Sequence, residues 1–298
     1  MHRMHHRLMS YVIHGATGAQ GAPVLAALRA AGKPVTAVTR DPGKLPEGTP
    51  AVAADYASAE ELARAYEGAD GVFVHLPLAA PDDRLAYAAH IAAAVAEARP
   101  ARVVISTSGS FADAPDVAGG TSPVPADPAV ARLIEGVAAS GVSYAVLAPK
   151  LFLENLLLPP VVGAAREEGV LRYPIGTDFP VSWVSHLDVA DAAAALLERP
   201  DLTGTVPVGQ YPPVTGPQLA EAFGARFGRG VTYEAITPDE FGALIAPLLG
   251  EPTAAGVAAL YRTIATLPDH AITPARSAET LLGLAPRTTG AWLADLGI

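Results

Sequence analysis

Short β-branched and apolar runs alternate with longer Ala- and Leu-rich segments through the first half of the chain. Tyr11-Val12-Ile13 predicts a strand, followed by a glycine turn and a helix from about Ala19 to Ala31. Pro34 to Val38 predicts the second strand, Ala51 to Ala53 a short third, and Gly71 to His75 the fourth. A long helix follows from about Asp82 to Ala98, then a fifth strand over Arg102 to Ser106. A helix over about Pro128 to Ser140 leads to a sixth strand at Tyr144 to Leu147. These strands read as continuous apolar runs, not alternating ones, which is the pattern of burial on both faces of a parallel sheet. Strand–helix alternation of this kind predicts the α/β class with a doubly wound parallel sheet.

The rhythm changes after Phe152. Pro159-Pro160, Tyr173-Pro174 and Phe179-Pro180 punctuate a stretch that reads as irregular. Val181 to Val184 then predicts a strand, Asp188 to Glu198 a helix, and Thr205 to Val208 another strand. From Thr215 onward the pattern is mainly helical, broken by prolines. The expected organisation is a leader at residues 1–8 and a sheet domain over 9–155 to which 181–209 return. Residues 156–180 and 210–298 then form a smaller, mainly helical lobe. In open α/β sheets ligands bind at the carboxyl ends of the strands, so that is where candidate residues are sought.

Composition narrows the picture. A chain of 298 residues that is 50% hydrophobic can bury roughly 75% of the surface it exposes when unfolded. Only 17% of residues are charged and the mean hydropathy is +0.29, a globular composition. No apolar run of about 18 residues lacks a charge or a proline, so no membrane span is expected. The net charge of −10 and pI near 5.2 argue against nucleic acid as a partner. Zero cysteines exclude a disulfide scaffold, thiolate metal ligands and a cysteine nucleophile. The cytoplasm is the default compartment for such a chain. No metal site is expected, and His2, His5 and His6 read as part of the leader.

Gly15-Ala16-Thr17-Gly18-Ala19-Gln20-Gly21 follows the first strand and opens a helix. Glycines at this spacing permit a tight turn and let backbone N–H groups approach a pyrophosphate at the helix N-terminus. This predicts a Rossmann-type dinucleotide site that includes Thr17, Ala19 and Gln20. The second strand ends Val38-Thr39-Arg40-Asp41. An arginine at this tip accommodates the 2′-phosphate of NADP, whereas an acidic residue binds the ribose of NAD. Arg40, with Lys44 close behind, predicts NADP(H); Asp41 keeps NAD open. Asp55 suits an adenine or ribose contact, or alternatively caps the helix starting at Ser58. His14 reads as a packing residue at the strand end.

The chain resembles the NmrA-like branch of atypical short-chain dehydrogenases/reductases. The resemblance rests on Val12 to Gly18, Val38 to Asp41, Leu147-Ala148-Pro149-Lys150-Leu151-Phe152-Leu153-Glu154-Asn155, Val184 to Ala190 and Leu281 to Thr288. It implies an NADP(H)-binding domain with a C-terminal substrate lobe. Members of that family include quinone reductases, ketone and ether reductases, and redox-sensing regulators without known turnover. The bias to arginine over lysine and the Ala/Pro richness also resemble actinomycete proteins, among which the family includes ketoreductases that tailor polyketide antibiotics.

Ordinary short-chain dehydrogenases place a Ser or Thr after strand five and a Tyr-x-x-x-Lys on the next helix. Here strand five ends Ser106-Thr107-Ser108, which supplies the hydroxyl. Aligned through Glu135, the tyrosine and lysine positions hold Asp127 and Ala131, and no Tyr-x-x-x-Lys occurs in the chain. Candidate replacements are Ser108, Lys150 at the end of strand six, and His186. Thr107, His75 and Lys150 are candidate nicotinamide or ribose contacts, each histidine having a structural reading beside it. Phe111, Phe152, Tyr173 and Trp183 are candidate walls for an aromatic substrate. The expected function is NADPH-dependent reduction of a carbonyl on an aromatic polyketide or quinone-like molecule, with the substrate itself as a candidate proton source. The alternative is a non-catalytic NADP(H) sensor. Monomer and homodimer both remain open.

Overall fold

The computed structural model describes residues 10–111 and 126–298, so the leader expected at 1–8 lies outside the described residues. In chain order the elements are β1 (Tyr11–His14), α1 (Gly21–Ala30), β2 (Val35–Val38), β3 (Ala51–Val52), α2 (Ala59–Tyr66), β4 (Gly71–His75) and α3 (Pro81–Ala98). Next come β5 (Arg102–Ser106), α4 (Pro128–Ala139), β6 (Ser143–Pro149), β7 (Leu151–Phe152), α5 (Pro159–Glu167), β8 (Val170–Tyr173) and β9 (Trp183–Val184). The chain closes with α6 (His186–Leu197), β10 (Gly204–Val208), α7 (Gly216–Phe227), β11 (Thr232–Ala235), α8 (Pro238–Leu249), α9 (Glu251–Ile264), α10 (Ala278–Leu282) and α11 (Thr289–Asp295). It divides into two compact units, Met1–Pro149 with Val189–Val206, and Lys150–Asp188 with Pro207–Ile298.

The first unit is built on a seven-stranded sheet of order β10-β6-β5-β4-β1-β2-β3. β1 lies parallel to both β2 and β4, so the strand order reverses beside it. β5 continues parallel to β4 and β6. This is the doubly wound arrangement whose switch point lies at the carboxyl ends of β1 and β4. Val12, Val72, Val74, Val103 and Ile105 meet Leu62, Tyr66, Ile91, Val95, Leu133 and Val137 from α2, α3 and α4 in one core. β5 opens on a charge: Arg102 is buried, its Nε donating to the Leu196 carbonyl at 2.5 Å and Nη1 to Ser143 Oγ at 2.8 Å. Hydrogen bonds to those oxygens compensate the desolvation that lowers its pKa.

The second unit carries two short parallel pairs, β8 with β11 and β7 with β9. The stretch expected to be irregular after Phe152 contains α5 and β8, and Pro159 and Pro160 occupy the first turn of α5. Proline is tolerated there because those N–H groups have no partner inside the helix. The return to the sheet domain is also shorter than the expected 181–209. Trp183 and Val184 pair with Leu151 and Phe152, which places 181–188 in the second unit and leaves Val189–Val206 to the first. Tyr173, Trp183, Phe241 and Tyr261 form its aromatic core, with ring centroids 5.2–5.5 Å apart around Tyr173. Among the described residues, no helix is long and apolar enough to cross a membrane.

Candidate functional site

The glycine loop is shaped by two close approaches. Gly15 has φ +58°, and a Cβ there would stand 2.5 Å from His75 Nε2. At Gly21 a Cβ would fall 2.3 Å from the carbonyl oxygens of His14 and Gly15, so the start of α1 sits directly on the end of β1. Gly18 N–H closes the turn on the Gly15 carbonyl at 2.7 Å. Thr17, Gly18 and Ala19 face outward. Gln20 holds the N-cap position of α1 yet makes no side-chain cap hydrogen bond. Ala22 and Val24 N–H donate to the Gly18 and Gln20 carbonyls at 3.0 and 3.3 Å and Pro23 has no N–H, so what the start of α1 offers an anion is chiefly its dipole and the exposed turn before it.

At the tip of β2, Arg40 is exposed, and its charge acts on the Tyr56 phenol, whose pKa burial pushes up to about 12. The Asp41 carboxylate lies 3.1 Å from Lys44 Nζ, so the acid that keeps NAD open pairs with the neighbouring lysine, and Arg40 is exposed beside them. Asp55 does not cap α2. Ser58 does, accepting from Glu61 N–H at 3.2 Å, while Asp55 Oδ1 accepts from Ala57 N–H at 2.9 Å. His14 is buried, with Nε2 2.6 Å from the Tyr66 hydroxyl and its ring edge-on to Tyr56. Burial, then the nearby His75, pushes its pKa down to about 3, so it stays neutral.

The end of β5 gathers three hydroxyls. Ser106 Oγ donates to Gln20 Oε1 at 2.8 Å, and Gln20 Nε2 donates to Ser108 Oγ at 2.9 Å. Ser108 has φ +57°, the left-handed region that side chains with a Cβ rarely occupy. Thr107 is 1% exposed, and its Oγ1 has no hydrogen-bond partner among the described residues. A buried hydroxyl with no protein partner, flanked by residues tied to the glycine loop, fits a ligand bearing ribose hydroxyls or an amide.

Asp127 occupies the aligned tyrosine position, and the structure gives it another task. Its Oδ1 caps α4, accepting from Ala129 N–H at 2.9 Å and Val130 N–H at 3.2 Å. Its Oδ2 accepts from Arg84 Nη1 at 2.7 Å and Ser110 Oγ at 3.2 Å. Burial would raise its pKa, but Arg84 and the two N–H groups together hold it below the ordinary carboxylate value. This group is an anion, not an acid. Phe111 is half-buried beside it, and its carbonyl accepts from Asp127 N–H at 2.8 Å.

Lys150 and His186 belong to the second unit. Lys150 N–H donates to the Val208 carbonyl at 3.2 Å. Burial first, and then the Lys150 charge, pushes His270 down to about 3. His186 lies against Phe152 with centroids 4.4 Å apart, and its Nδ1 is 3.7 Å from Glu154 Oε2. Glu154 Oε1 accepts from Ser185 Oγ, His186 N–H and Trp292 Nε1 at 2.8–3.1 Å. Burial lowers the His186 pKa and Glu154 opposes it. Asp188 stands in the first turn of α6, accepting from Ser185 N–H at 3.0 Å and pairing with Arg287 at 2.7 Å.

Two of the expected substrate walls are corrected. Tyr173 and Trp183 are 0% and 1% exposed, and the Tyr173 hydroxyl is bonded to that of Tyr261. Both pack in the aromatic core, where Trp183 Nε1 has no hydrogen-bond partner among the described residues. Phe152 remains half-buried. A 520 Å³ cavity in the second unit, lined by Gly242, Ala246, Ala254 and Ala258 of α8 and α9, contains none of the candidate residues. The sequence reading also missed Arg84 and Glu154 as organising groups. Glu154 stands in a quoted family segment, but its partners are up to 138 residues away.

A family model described as the NmrA-like family matches residues 10–281. The chain belongs to the NmrA-like family. An NAD(P)H azoreductase of Xenophilus azovorans is 34% identical over 239 residues, spanning 77% of this chain and 78% of that one. A 3-diazoavenalumate denitrifying reductase of Streptomyces sp. is 28% identical and spans 97% of this NmrA-like chain and 99% of its own. Among solved structures, the NADPH-dependent quinone oxidoreductase of Escherichia coli, complexed with NADPH, superimposes with a TM-score of 0.78. It is 21% identical, with 97% of this chain and 100% of that one covered, which establishes the shared fold.

Proposed function

We propose that this NmrA-like protein is an NADPH-dependent reductase of conjugated, electron-poor aromatic acceptors, quinones foremost. The observation that carries the reading is Asp127, an Arg84-held anion where a ketone reductase needs its tyrosine acid. Hydride addition to an isolated ketone leaves a strongly basic alkoxide that a protein group must protonate. Addition to a quinone leaves a phenolate-type anion, whose conjugate acid has a pKa near 10, and solvent protonates it afterwards. The azo and quinone acceptors in the names of the relatives share this delocalisation.

When bound, NADPH supplies the hydride. The loop from Gly15 to Gly21 holds the pyrophosphate, Arg40 takes the 2′-phosphate, and Thr107 offers its buried hydroxyl to the nicotinamide half. His75 stands at the end of β4 against Gly15 of the same loop, and Asp55 is the adenine- or ribose-side candidate. Ser108 hydrogen-bonds the developing oxyanion. Phe111, half-buried beside Asp127 in the same unit, is the acceptor-side aromatic group. A narrower reading, a polyketide ketone flanked by a phenol, is supported by the same lack of a protein acid, because the phenol brings its own proton at high effective concentration.

The test is NADPH oxidation with menadione, an azo dye, a plain aromatic ketone, a phenol-flanked ketone and its methyl ether. Turnover of menadione but not of the plain ketone is expected. Activity on the phenol-flanked ketone that is lost in its methyl ether supports the narrower reading. Tight NADPH binding without oxidation by any acceptor replaces the reductase with a sensor.

A further inference from the structure

Gln20 occupies a position at which Ser, Thr, Asp or Asn ordinarily accepts a helix N–H group. Its side chain does not cap α1. It is 8% exposed and turned across to the end of β5, where its amide bridges Ser106 and Ser108. The two ends of an amide are chemically unlike, and the surroundings fix which end faces which serine. Ser106 is buried and its Oγ already accepts from Ser108 N–H at 3.2 Å. Its own hydrogen needs an acceptor, and Gln20 Oε1 at 2.8 Å is that acceptor. The amide nitrogen is thereby directed at Ser108, 2.9 Å away. Ser108 Oγ accepts this bond and keeps its hydrogen for another partner. A left-handed φ of +57° costs about 1 kcal/mol or more and persists at Ser108 in the same half-buried network.

We infer that Gln20 is a positioning residue that sets the Ser108 hydroxyl as a hydrogen-bond donor toward the oxygen of the substrate being reduced. This rests on the reductase reading and deepens it. It also changes the expected role of Gln20, whose backbone serves the nucleotide loop while its side chain serves the acceptor. The chain of donors runs one way, from Ser106 to Gln20, from Gln20 to Ser108, and from Ser108 to the oxyanion.

The direction makes the inference testable with Gln20→Glu. An ionised glutamate only accepts, so Ser108 must turn its hydrogen back to residue 20. With menadione at saturating NADPH, Gln20→Glu and Gln20→Met should each lower kcat about tenfold. The Kd for NADP⁺ should stay within about twofold. Gln20→Glu should recover rate as pH falls and its carboxyl gains a proton to donate, whereas Gln20→Met should not. Adding Ser108→Ala to either variant should cost nothing further. Unchanged kcat in both variants overturns the inference and leaves the reductase reading intact. A fall in NADP⁺ affinity that accounts for the whole effect makes the side chain a cofactor contact and also overturns it. If the wild-type protein turns over no acceptor, the readout is binding of the hydroxynaphthoquinone anion with NADP⁺ present. Weaker binding in Gln20→Glu then upholds the inference while the reductase reading fails, and equal or absent binding overturns it.

Discussion

Arg84 Nη1 lies 2.7 Å from Asp127 Oδ2, and Asp127 is the residue that the family resemblance, aligned through Glu135, sets against the proton-donating tyrosine of ordinary short-chain reductases. Both side chains are less than a quarter exposed, and the other carboxylate oxygen caps α4. Asp127 is thus committed to folding. Asp127→Ala should destabilise the protein by about 2 kcal/mol, from a lost cap and a guanidinium left half-buried. Asp127→Asn keeps an oxygen for the cap and should cost less. Urea titration measures both. Menadione turnover should persist in the Asn variant within a few-fold; its collapse in a folded protein would give Asp127 a chemical role.

Cofactor selectivity follows from the tip of β2. Lys44 is paired with Asp41, and Arg40 is exposed. Arg40→Ala should weaken NADPH binding by on the order of 2 kcal/mol, as for one partner of a charge pair, and should barely change NADH binding. Equal losses for both cofactors, measured by fluorescence titration, would make Arg40 a structural residue.

His14 in the first unit and His270 in the second are buried in the neutral form, both pushed down to about 3. The unfolded chain binds these protons near pH 6.5, so it takes up more protons than the native state below that pH. Stability is therefore complete above about pH 6.5 and declines toward pH 3, by up to about 1.4 kcal/mol per pH unit for each histidine. Thermal melts across this range should show the slope. His14→Gln should flatten it for the first unit, and a melting temperature that ignores pH between 6.5 and 4 would contradict the assignment.

The corrected role of Tyr173 has its own check. Tyr173→Phe removes the bond to the Tyr261 hydroxyl inside a fully buried aromatic cluster. Stability should fall by about 1–2 kcal/mol because the Tyr261 hydroxyl is left without that partner. The KM for menadione should not move; a large KM change at unaltered stability would return Tyr173 to the substrate wall.

The parallel sheet was legible because its inner strands are apolar on both faces. β4 and β5 begin and end where their runs do, at Gly71–His75 and Arg102–Ser106. The glycine loop was legible from its spacing together with its place between the first strand and a helix, since Gly21 is required by contacts with His14 and Gly15 a few residues away. β8 and β11 were not, because Val170–Tyr173 finds its partner in Thr232–Ala235, about sixty residues on. Distance along the chain hid the site in the same way. Gln20 meets Ser108 across 88 residues, and Tyr173 is enclosed by Phe241 and Tyr261, so neither the network nor the burial leaves a local pattern.

The central claim is hydride transfer without a protein acid, and isotope effects on menadione reduction test it most directly. NADPH carrying deuterium at the transferred position should slow kcat/KM by a primary effect, while heavy water should leave it unchanged. NADPH that binds but gives up no label to any acceptor, or a solvent effect comparable to the primary one, would contradict the account.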